Sequence, residues 1–229
     1  MNKPLGHKSY GSIPHISKSR LGPGDHKIEI GQERIATVKP RKGDTIIVQE
    51  KLDGSNVSVA RHNGELLALG RAGYLAQSSQ YEQHQLFADW VRKNLDRFQF
   101  LEEGERLIGE WLALAHGTKY DLDGCGTEPF IAFDIMRNGH KRLPFGKLIR
   151  RIDKAFQLPS LLWLREESLS LDKALKLLGE HGDHGAIGKA EGVVWRVERE
   201  DRVDFLCKYV RPDKVDGKYL DDNIWNWRP

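Results

Sequence analysis

The stretch TIIVQEKLDGSNVSVARHNGELLALG, residues 45–70, decides the fold of this chain. Residues 45–50 are mostly apolar and β-branched, and residues 56–61 alternate apolar with small polar side chains, as a half-buried strand does. Asn63-Gly64 predicts a hairpin turn, because this dipeptide adopts positive φ at little cost, and a returning strand follows it. The stretch therefore predicts antiparallel sheet, with Lys51 at the end of its first strand.

Further apolar runs alternate with amphipathic segments along the rest of the chain. Apolar residues recur on one helical face in residues 86–98 and 171–178, and residues 147–156 predict a basic helix. Buried strands are predicted at residues 106–112, 129–135, 192–197 and 203–210. Because strands outnumber helices and tight turns join several of them, the predicted fold class is α+β, with largely antiparallel sheets flanked by helices.

Length and composition predict a folded chain with one principal domain. Of the 229 residues, 39% are hydrophobic and 30% are charged, which allows a sizeable core and argues against global disorder. We divide the chain into an N-terminal basic arm (residues 1–30), a central domain (residues 31–215) and a C-terminal tail (residues 216–229) packed on that domain. The arm is rich in glycine, serine and proline, and it is interpreted as an extended segment that is either wrapped on the body or mobile.

The sequence disfavours several classes of protein. Its apolar runs fall short of the ~18 residues that a membrane span needs, and its first residues lack the apolar core of a secretion signal. Cys125 and Cys207 are too few for a disulfide framework or a zinc site and are interpreted as free thiols, so we expect a cytoplasmic protein without a membrane partner. The net charge of +3 is too small to indicate a nucleic-acid partner by itself.

Lys51 carries the sharpest chemical signal. A lysine at the end of an apolar strand, followed by the Asp53-Gly54 turn, is an exposed amine on a rigid support. An amine is protonated and poorly nucleophilic at neutral pH, but partial burial or neighbouring cations free its lone pair. The competing interpretation of the same residues is an ordinary surface lysine beside a turn.

Five further residues with suitable chemistry follow Lys51 in order along the chain. They are Arg71 after the hairpin, Glu110 at the end of an apolar strand, Phe133 within the next strand, Glu191 at the start of a strand and Lys208 near the end of the last strand. Each alone is a weak signal, since a glutamate beside a buried strand is usually a solvated strand end. The ordered set is much less expected by chance than any of its members.

This ordered set resembles the covalent nucleotidyltransferase superfamily of polynucleotide ligases and capping enzymes, and it is most similar to the ATP-dependent RNA ligases of the phage-type, double-strand-repairing class. The resemblance spans roughly residues 45–212, and the first family motif, Lys-x-Asp/His-Gly-x-Asn, fits Lys51, Asp53, Gly54 and Asn56. It implies that the central domain is a nucleotidyltransferase (adenylation) domain of RNA repair. In that family the lysine attacks the α-phosphate of ATP to form lysyl-AMP, the AMP passes to a 5′-phosphate, and a 3′-hydroxyl displaces it.

The resemblance implies a role for each residue of the set. Lys51 is the expected nucleophile, Arg71 is similar to the family arginine near the ribose and phosphate, and Lys208 is similar to the lysine that contacts the α-phosphate. Glu50 resembles the acidic neighbour that accepts a hydrogen bond from the adenine amino group, and Phe133 resembles the aromatic residue that stacks on adenine.

Two glutamates resemble the family carboxylates that organise a divalent cation. Glu110 resembles the glutamate that holds the ribose and the water shell of the metal, and Glu191 resembles the metal-organising glutamate of the fourth motif. Asn56, from the first motif, joins the same nucleotide-binding set. The expected cofactors are therefore ATP and Mg²⁺ (or Mn²⁺), and Mg²⁺ prefers oxygen ligands and keeps several waters.

Two departures from the family pattern concern the last motif and the residues after it. The motif usually carries a lysine two residues before its last one, where this chain has Leu206, so either Arg211 or Lys214 substitutes or one transfer step is weakened. The seventeen residues after Pro212 cannot form the OB-fold appendage of DNA ligases and capping enzymes. We therefore expect RNA with a 5′-phosphate and a 3′-hydroxyl, of which a nicked duplex is one form, to be held by the arm, by surface patches or by a partner protein.

Two basic runs and several single residues lie outside the ordered set. Residues 137–142 and 147–154 concentrate seven positive side chains against one acid, and they predict either contact with a phosphate backbone or a solvated surface. His116 predicts a loop hydrogen bond rather than a phosphate contact, and residues 181–185 predict a glycine-rich turn rather than a metal site. The tryptophans of the tail are expected to dock on the body rather than to stack on bases.

Three alternatives to an RNA ligase stay open from the sequence. Two are enzymes of the same superfamily, a DNA nick ligase and a GTP-using, capping-type nucleotidyltransferase. The third is a non-catalytic nucleotide- or RNA-binding module, for which Leu206 is the motivating residue.

Overall fold

Two antiparallel sheets form the framework of the protein, which we describe from a computed structural model over residues 3–229. In chain order the elements are α1 (Ile30–Thr37), β1 (Asp44–Lys51), β2 (Ser55–His62), β3 (Glu65–Gly70), α2 (Glu82–Lys93), β4 (Glu105–Trp111), β5 (Phe130–Arg137), β6 (Lys141–Arg142), α3 (Phe145–Ile152), β7 (Leu161–Arg165), α4 (Leu171–Leu178), β8 (Gly192–Arg199) and β9 (Arg202–Val210). Short 3₁₀ helices lie at Ala76–Ser78 and Leu95–Phe98. The predicted α+β class with largely antiparallel sheets is confirmed.

Strands β2 to β6 form one sheet, and β1 joins the last three strands of the chain in the other. One sheet has the order β3-β2-β4-β5-β6, and the other has the order β7-β1-β8-β9, with every neighbouring pair antiparallel. The predicted hairpin joins β2 to β3 through Asn63 and Gly64, whose φ angles are 53° and 80°. Both angles lie in the left-handed region that such a two-residue turn requires.

Each sheet buries one face against its own helices. Helix α2 packs Phe87 and Trp90 against Trp111 and Phe130 of the five-stranded sheet, and α3 adds further apolar side chains to this core. The four-stranded sheet packs Trp195 and its neighbours against α1 and α4. Each core covers the face of its sheet that packs on helices, and a cleft lies between the two sheets.

The segment between β1 and β2 joins the two sheets. Strand β1 belongs to the four-stranded sheet and β2 to the five-stranded sheet, so the chain crosses between them within residues 52–54. This short crossing places Lys51 on one sheet and Asn56 on the other.

The N-terminal arm lies against the body along both sheets. The side chain of Arg106 in β4 donates to the carbonyl of Ser9 (2.8 Å), and the amide of Ile16 donates to the carbonyl of Lys208 in β9 (3.0 Å). Tyr10 and Ile16 are buried. The arm is therefore wrapped on the body rather than mobile over residues 3–29, which are described and precede α1.

Some predicted boundaries were wrong, and local hydrogen bonds explain why. Helix α2 ends at Lys93 because the side chain of Asn94 donates to the carbonyl of Trp90 (2.8 Å), so the apolar residues beyond it lie in a 3₁₀ turn and Leu95 is exposed. Helix α3 runs over residues 145–152 rather than 147–156 and ends where Asp153 adopts a φ of 44°. Among residues 3–229 no helix is long and apolar enough to span a membrane.

A buried carboxylate ties β4 to β5 and α3. Glu105 is 1% exposed and accepts hydrogen bonds from Arg137, from Arg151 (2.7 Å) and from the amide of Glu102 (2.7 Å). Burial by itself would raise the pKa of Glu105, but the bonds from Arg151, the Glu102 amide and Arg137 hold this pKa below its ordinary value.

We predict that Glu105→Gln lowers the free energy of unfolding by about 2 kcal/mol, because two arginines that keep some access to water lose their buried partner. Since the Glu105 pKa is lower in the folded than in the unfolded chain, its contribution is present above the unfolded value of ~4.3 and is lost as the pH falls through the folded value. Urea unfolding at pH 7 and at acidic pH measures both effects.

The matched control is Glu102→Gln, because Glu102 faces Arg137 and Arg151 from an exposed position. We expect its effect to stay within about 0.5 kcal/mol. Equal losses for the two variants would contradict a special role for the buried carboxylate.

Candidate active site

A cavity of about 290 Å³ opens between the two sheets where the chain crosses from β1 to β2. Its walls come from both sheets, from the crossing segment, from the arm and from a residue beyond β9. All eight residues predicted from the sequence line it, namely Glu50, Lys51, Asn56, Arg71, Glu110, Phe133, Glu191 and Lys208. Residues separated by up to 158 positions (208 minus 50) therefore share one concave site.

Lys51 and Glu191 form an ion pair in the wall of the cavity. Lys51 ends β1 opposite Gly192 of β8, so Glu191 arrives beside it through strand pairing. The Nζ atom of Lys51 lies 2.5 Å from Oε2 of Glu191 and donates to the carbonyl of Leu52 (3.2 Å). Lys51 is 20% exposed and Glu191 is 3% exposed, so the amine is accessible from the cavity while the carboxylate beneath it is buried.

Asp53 anchors the crossing segment. Its carboxylate accepts from the amide of Gly117 (2.8 Å) and from Nζ of Lys214 (2.8 Å), and its own amide donates to the hydroxyl of Tyr120 (2.9 Å). Burial by itself would raise the pKa of Asp53, but the Lys214 ammonium holds this pKa below its ordinary value. The first-motif aspartate thus supports the loop that presents Lys51.

Gly54 is required by the close approach of the crossing segment to the end of β4. A Cβ atom at this position would overlap the carbonyl oxygen of Trp111 and crowd Leu112 at 3.1 Å. The amide of Gly54 donates to Oε1 of Glu110 (3.0 Å), which orients that carboxylate toward the cavity.

Glu110 and Asn56 face each other across the β2–β4 register. Desolvation raises the pKa of Glu110 to about 7, and the negative charges of Glu191 and Asp53 act in the same direction against the Lys51 ammonium. The Oδ1 atom of Asn56 is buried without a hydrogen-bond partner in the described part of the chain. A desolvated carboxylate and an unpartnered amide oxygen on adjacent strands are suited to a ligand that brings hydroxyl groups or bound water.

A bulge in β5 directs an aromatic ring and a carboxylate to the same wall. Ala132 pairs with Gly109 and Asp134 with Ile108, which leaves Phe133 as the extra residue. Phe133 is half-buried, and its ring meets that of Tyr10 from the arm edge to face at 5.4 Å. The sequence predicted the ring in this position but not the bulge or the arm residue behind it.

Lys208 and Arg71 add positive charge at the arm side of the cavity. Burial, followed by repulsion from Lys51, lowers the pKa of Lys208 to about 8. Its Nζ atom lies 3.9 Å from the carboxylate of Asp25 in the arm. Arg71 is exposed, and its guanidinium donates to the carbonyl of Gly11 (3.4 Å). This guanidinium makes no ion pair with an acidic side chain among residues 3–229.

Glu50 is held by a turn that the sequence predicted only as a glycine-rich loop. Its Oε2 atom lies 2.7 Å from Nδ1 of His184 and accepts from the amide of Asp183 (3.2 Å), and Gly182 packs so closely on the carboxylate that a Cβ would overlap it. The other ring nitrogen of His184 faces the carbonyl of Leu158 (3.1 Å). The sequence signal for His184 was its place in a His-Gly-Asp-His-Gly run, which does not indicate its partner.

Of the two candidates to compensate for Leu206, the structure brings only Lys214 into the cavity. Lys214 is buried, lines the cavity and contacts Asp53 and Glu191, whereas Arg211 pairs with Asp213 (3.2 Å) away from it. Leu206 itself forms part of the apolar lining.

The remaining predictions concern residues outside the cavity. His116 makes the predicted loop hydrogen bond, with Oε1 of Gln83 (3.1 Å), and Trp225 and Trp227 pack on the core of the five-stranded sheet as expected. Four of the seven positive side chains in the basic runs are already ion-paired within the chain; these are Arg137, Arg142, Lys147 and Arg151. The remaining Lys141, Arg150 and Lys154 make no ion pair among residues 3–229.

The oxygen atoms of the cavity fit a hydrated divalent cation better than a bare one. Within residues 3–229, no group of three or more histidine, cysteine, aspartate or glutamate side chains is arranged to hold a metal ion directly. Glu110, Glu191 and the free Oδ1 of Asn56 nevertheless offer the hard oxygen ligands that Mg²⁺ or its bound waters prefer.

Comparisons with known proteins concern the same span of the chain. A family model described as RNA ligase matches residues 44–210. No curated protein matches the sequence. A variant of the RNA ligase from Naegleria gruberi, in complex with ATP and Mn, is similar with a TM-score of 0.53 and 20% identity, over 79% of this chain and 52% of that protein. A putative ATP-dependent DNA ligase from Aquifex aeolicus is similar with a TM-score of 0.54 and 18% identity, over 88% of this chain and 49% of that one. This chain therefore spans about half the length of these solved proteins, which share its fold.

We predict that Gly54→Ala lowers the free energy of unfolding by about 2 kcal/mol, because the new methyl group must displace the Trp111 carbonyl. It also moves the amide that orients Glu110, so nucleotide affinity falls with stability. Urea unfolding and ATP titration by calorimetry measure the two effects. Gly31→Ala, in α1 where a Cβ meets no atom within 4 Å, is the control; it should leave ATP affinity unchanged and should not lower the free energy of unfolding, because alanine favours a helix more than glycine does. An unaltered Gly54→Ala protein contradicts the proposed close approach.

Proposed function

The chain belongs to the RNA ligase family, and on this premise we propose that it joins RNA ends with ATP through a lysyl-AMP intermediate on Lys51. The observation that carries the proposal is the cavity itself. Eight residues that were predicted from the ordered set and the family resemblance line one cleft, with the amine of Lys51 accessible from it. The finer assignments below, including each residue's role, are part of this proposal.

In the first step Nζ of Lys51 attacks the α-phosphorus of ATP. A phosphorus–nitrogen bond forms, the bond from the α-phosphorus to the bridging oxygen breaks, and pyrophosphate leaves with the electron pair. The amine must lose a proton as it becomes a phosphoramidate. The position of Oε2 of Glu191, 2.5 Å from Nζ, supports a role as acceptor for that proton, since a carboxylate oxygen is a far stronger base than the carbonyl oxygen of Leu52, which Nζ also contacts.

Charge that develops on the α-phosphate needs nearby cations. Lys208 and Arg71 supply two from the arm side of the cavity, and both side chains line it together with Lys51. Glu110, Glu191 and Asn56 would hold a hydrated Mg²⁺ or Mn²⁺, which when bound supplies further positive charge to the phosphate oxygens. Phe133 and Glu50 would receive the adenine ring and its amino group.

The later steps use the same cleft. AMP passes from Lys51 to the 5′-phosphate of an RNA end, which regenerates the amine, and the 3′-hydroxyl of the second end then forms the phosphodiester and releases AMP. Lys141, Arg150 and Lys154, which have no internal ion-pair partner among the described residues, and the arm are the surfaces that we propose for RNA contact, alone or with a partner protein. A nicked duplex fits this proposal because it presents both ends together.

We predict that Lys51→Ala abolishes covalent labelling by ATP carrying a radioactive α-phosphate in the presence of Mg²⁺, because no other amine replaces the nucleophile. Wild-type protein should retain an acid-labile label, and intact mass should show the addition of one AMP. Lys176→Ala, an exposed lysine of α4, is the charge-matched control and should label like wild type.

Substrate preference separates this function from its alternatives. Labelling by GTP alone would indicate a capping-type nucleotidyltransferase, and sealing of DNA but not RNA 3′-ends would indicate a DNA nick ligase. Reversible ATP binding without an adduct would indicate a nucleotide-binding module. Absence of a label with either nucleotide rules out the proposed intermediate.

We predict that Phe133→Ala raises the apparent KM for ATP roughly tenfold and changes kcat by less than about twofold, because stacking contributes mostly uniform binding. Phe133→Tyr keeps the ring and should restore the wild-type KM. Steady-state adenylation at several ATP concentrations measures both constants. An unchanged KM in Phe133→Ala would place the base-binding surface elsewhere in the cavity.

A further inference from the structure

Lys214 is a buried lysine that the ordered motif set does not include. It follows β9 and lies beneath the crossing segment, with its Nζ atom 2.8 Å from Oδ1 of Asp53 and in short contact with Oε1 of Glu191. The carboxylate of Asp216 lies 3.6 Å from the same Nζ atom on the solvent side. Lys214 is 6% exposed and Asp216 is 57% exposed, so the ammonium lies between a buried carboxylate pair and an accessible carboxylate.

The two oxygens of Glu191 are both engaged by lysines. Oε2 contacts Lys51 and Oε1 contacts Lys214, while Asp53 is the second partner of Lys214. Two ammonium groups thus balance the two carboxylates of Asp53 and Glu191 within the buried cluster. Such compensation is needed, because an unpaired carboxylate in a site with little water is strongly destabilising.

In the proposed site a divalent cation or its bound water also uses Glu191. Each oxygen of Glu191 already contacts one ammonium group, so the cation must share or replace one of these contacts. Lys51 has to stay beside the phosphate as the nucleophile of the proposed reaction, so Lys214 is the group that can withdraw. Asp216 offers it a second carboxylate within 3.6 Å, and Arg20 holds that carboxylate in turn (2.6 Å).

We propose that Lys214 is a positioning residue whose ammonium occupies Oε1 of Glu191 in place of a divalent cation or its bound water, so that cation binding and withdrawal of the ammonium toward Asp216 are linked. This inference rests on the proposed function for its choice of cation. Lys214 is then more than a replacement for the lysine absent at Leu206, because its ammonium competes with the metal for Glu191. The cavity then keeps its charge balance both before and after the cation binds.

Mn²⁺ alone is the probe, with binding to the full chain followed by the decrease of the free-ion electron paramagnetic resonance signal. We expect Lys214→Met to lower the Kd for Mn²⁺ about tenfold, because it leaves two buried carboxylates without their competing cation. Lys189→Met, which removes an exposed lysine 3.2 Å from Asp213, is the control and should leave the Kd unchanged. A folded Lys214→Met protein with equal or weaker Mn²⁺ affinity overturns the proposal.

Asp216→Asn tests the same linkage without altering the buried cluster. The exposed amide no longer attracts the ammonium, so Lys214 stays on Glu191 and Asp53, and the Kd for Mn²⁺ should rise about twofold to threefold. This variant decides the matter if Lys214→Met fails to fold, and an unchanged Kd counts against the proposal.

These measurements need neither ATP nor RNA, so they are independent of the ligase assay. If the wild-type protein forms no adduct on Lys51 but Lys214→Met still lowers the Kd for Mn²⁺, the proposed function is wrong and the competition between Lys214 and the cation stands. A normal adduct with no Mn²⁺ binding to the nucleotide-free protein or any variant overturns the competition and leaves the ligase proposal standing.

Discussion

The three-residue crossing between β1 and β2 is the constraint on which the site depends. Because residues 52–54 must pass from one sheet to the other, the end of β1 and the start of β2 are fixed on opposite walls of one cleft. Gly54 permits the crossing segment to lie against the end of β4, and Asp53 anchors the loop through Gly117, Tyr120 and Lys214. The position of the Lys51 amine is therefore set by structural contacts of Asp53 and Gly54, residues to which no catalytic role is assigned.

Charge balance within the cleft links stability to chemistry. Asp53 and Glu191 lie in a site with little water, and the ammonium groups of Lys51 and Lys214 compensate them. Removing any member leaves a buried charge without its partner, so these residues support the fold as well as any reaction there. The raised pKa of Glu110 and the lowered pKa of Lys208 share one cause, desolvation, which disfavours the charged form of each.

The N-terminal arm completes the wall that neither sheet supplies. Tyr10, Gly11 and Ile13 line the cavity, and Arg106 holds the arm through the carbonyl of Ser9. Asp134 joins both sheets to this region, because its carboxylate accepts from Arg196 (2.8 Å) and Arg142 (2.9 Å) and from the hydroxyl of Tyr10 (3.3 Å). The site is thus closed by contacts between segments far apart in sequence.

The sequence by itself determined seven of the strands, the hairpin at Asn63-Gly64, the fold class and eight residues that line the cavity, because periodicity indicates which side of a segment is buried and the ordered motifs indicate chemistry. It did not predict β6 or β7. It did not determine where α2 ends, the bulge that presents Phe133, or the partners of Glu50 and Asp53. Those features depend on which distant segment supplies a hydrogen bond or an opposite charge. The contacts of His184 with Glu50 and of Lys214 with Asp53 became apparent only in the tertiary structure, because 134 and 161 positions separate the partners and no local pattern encodes such a pairing.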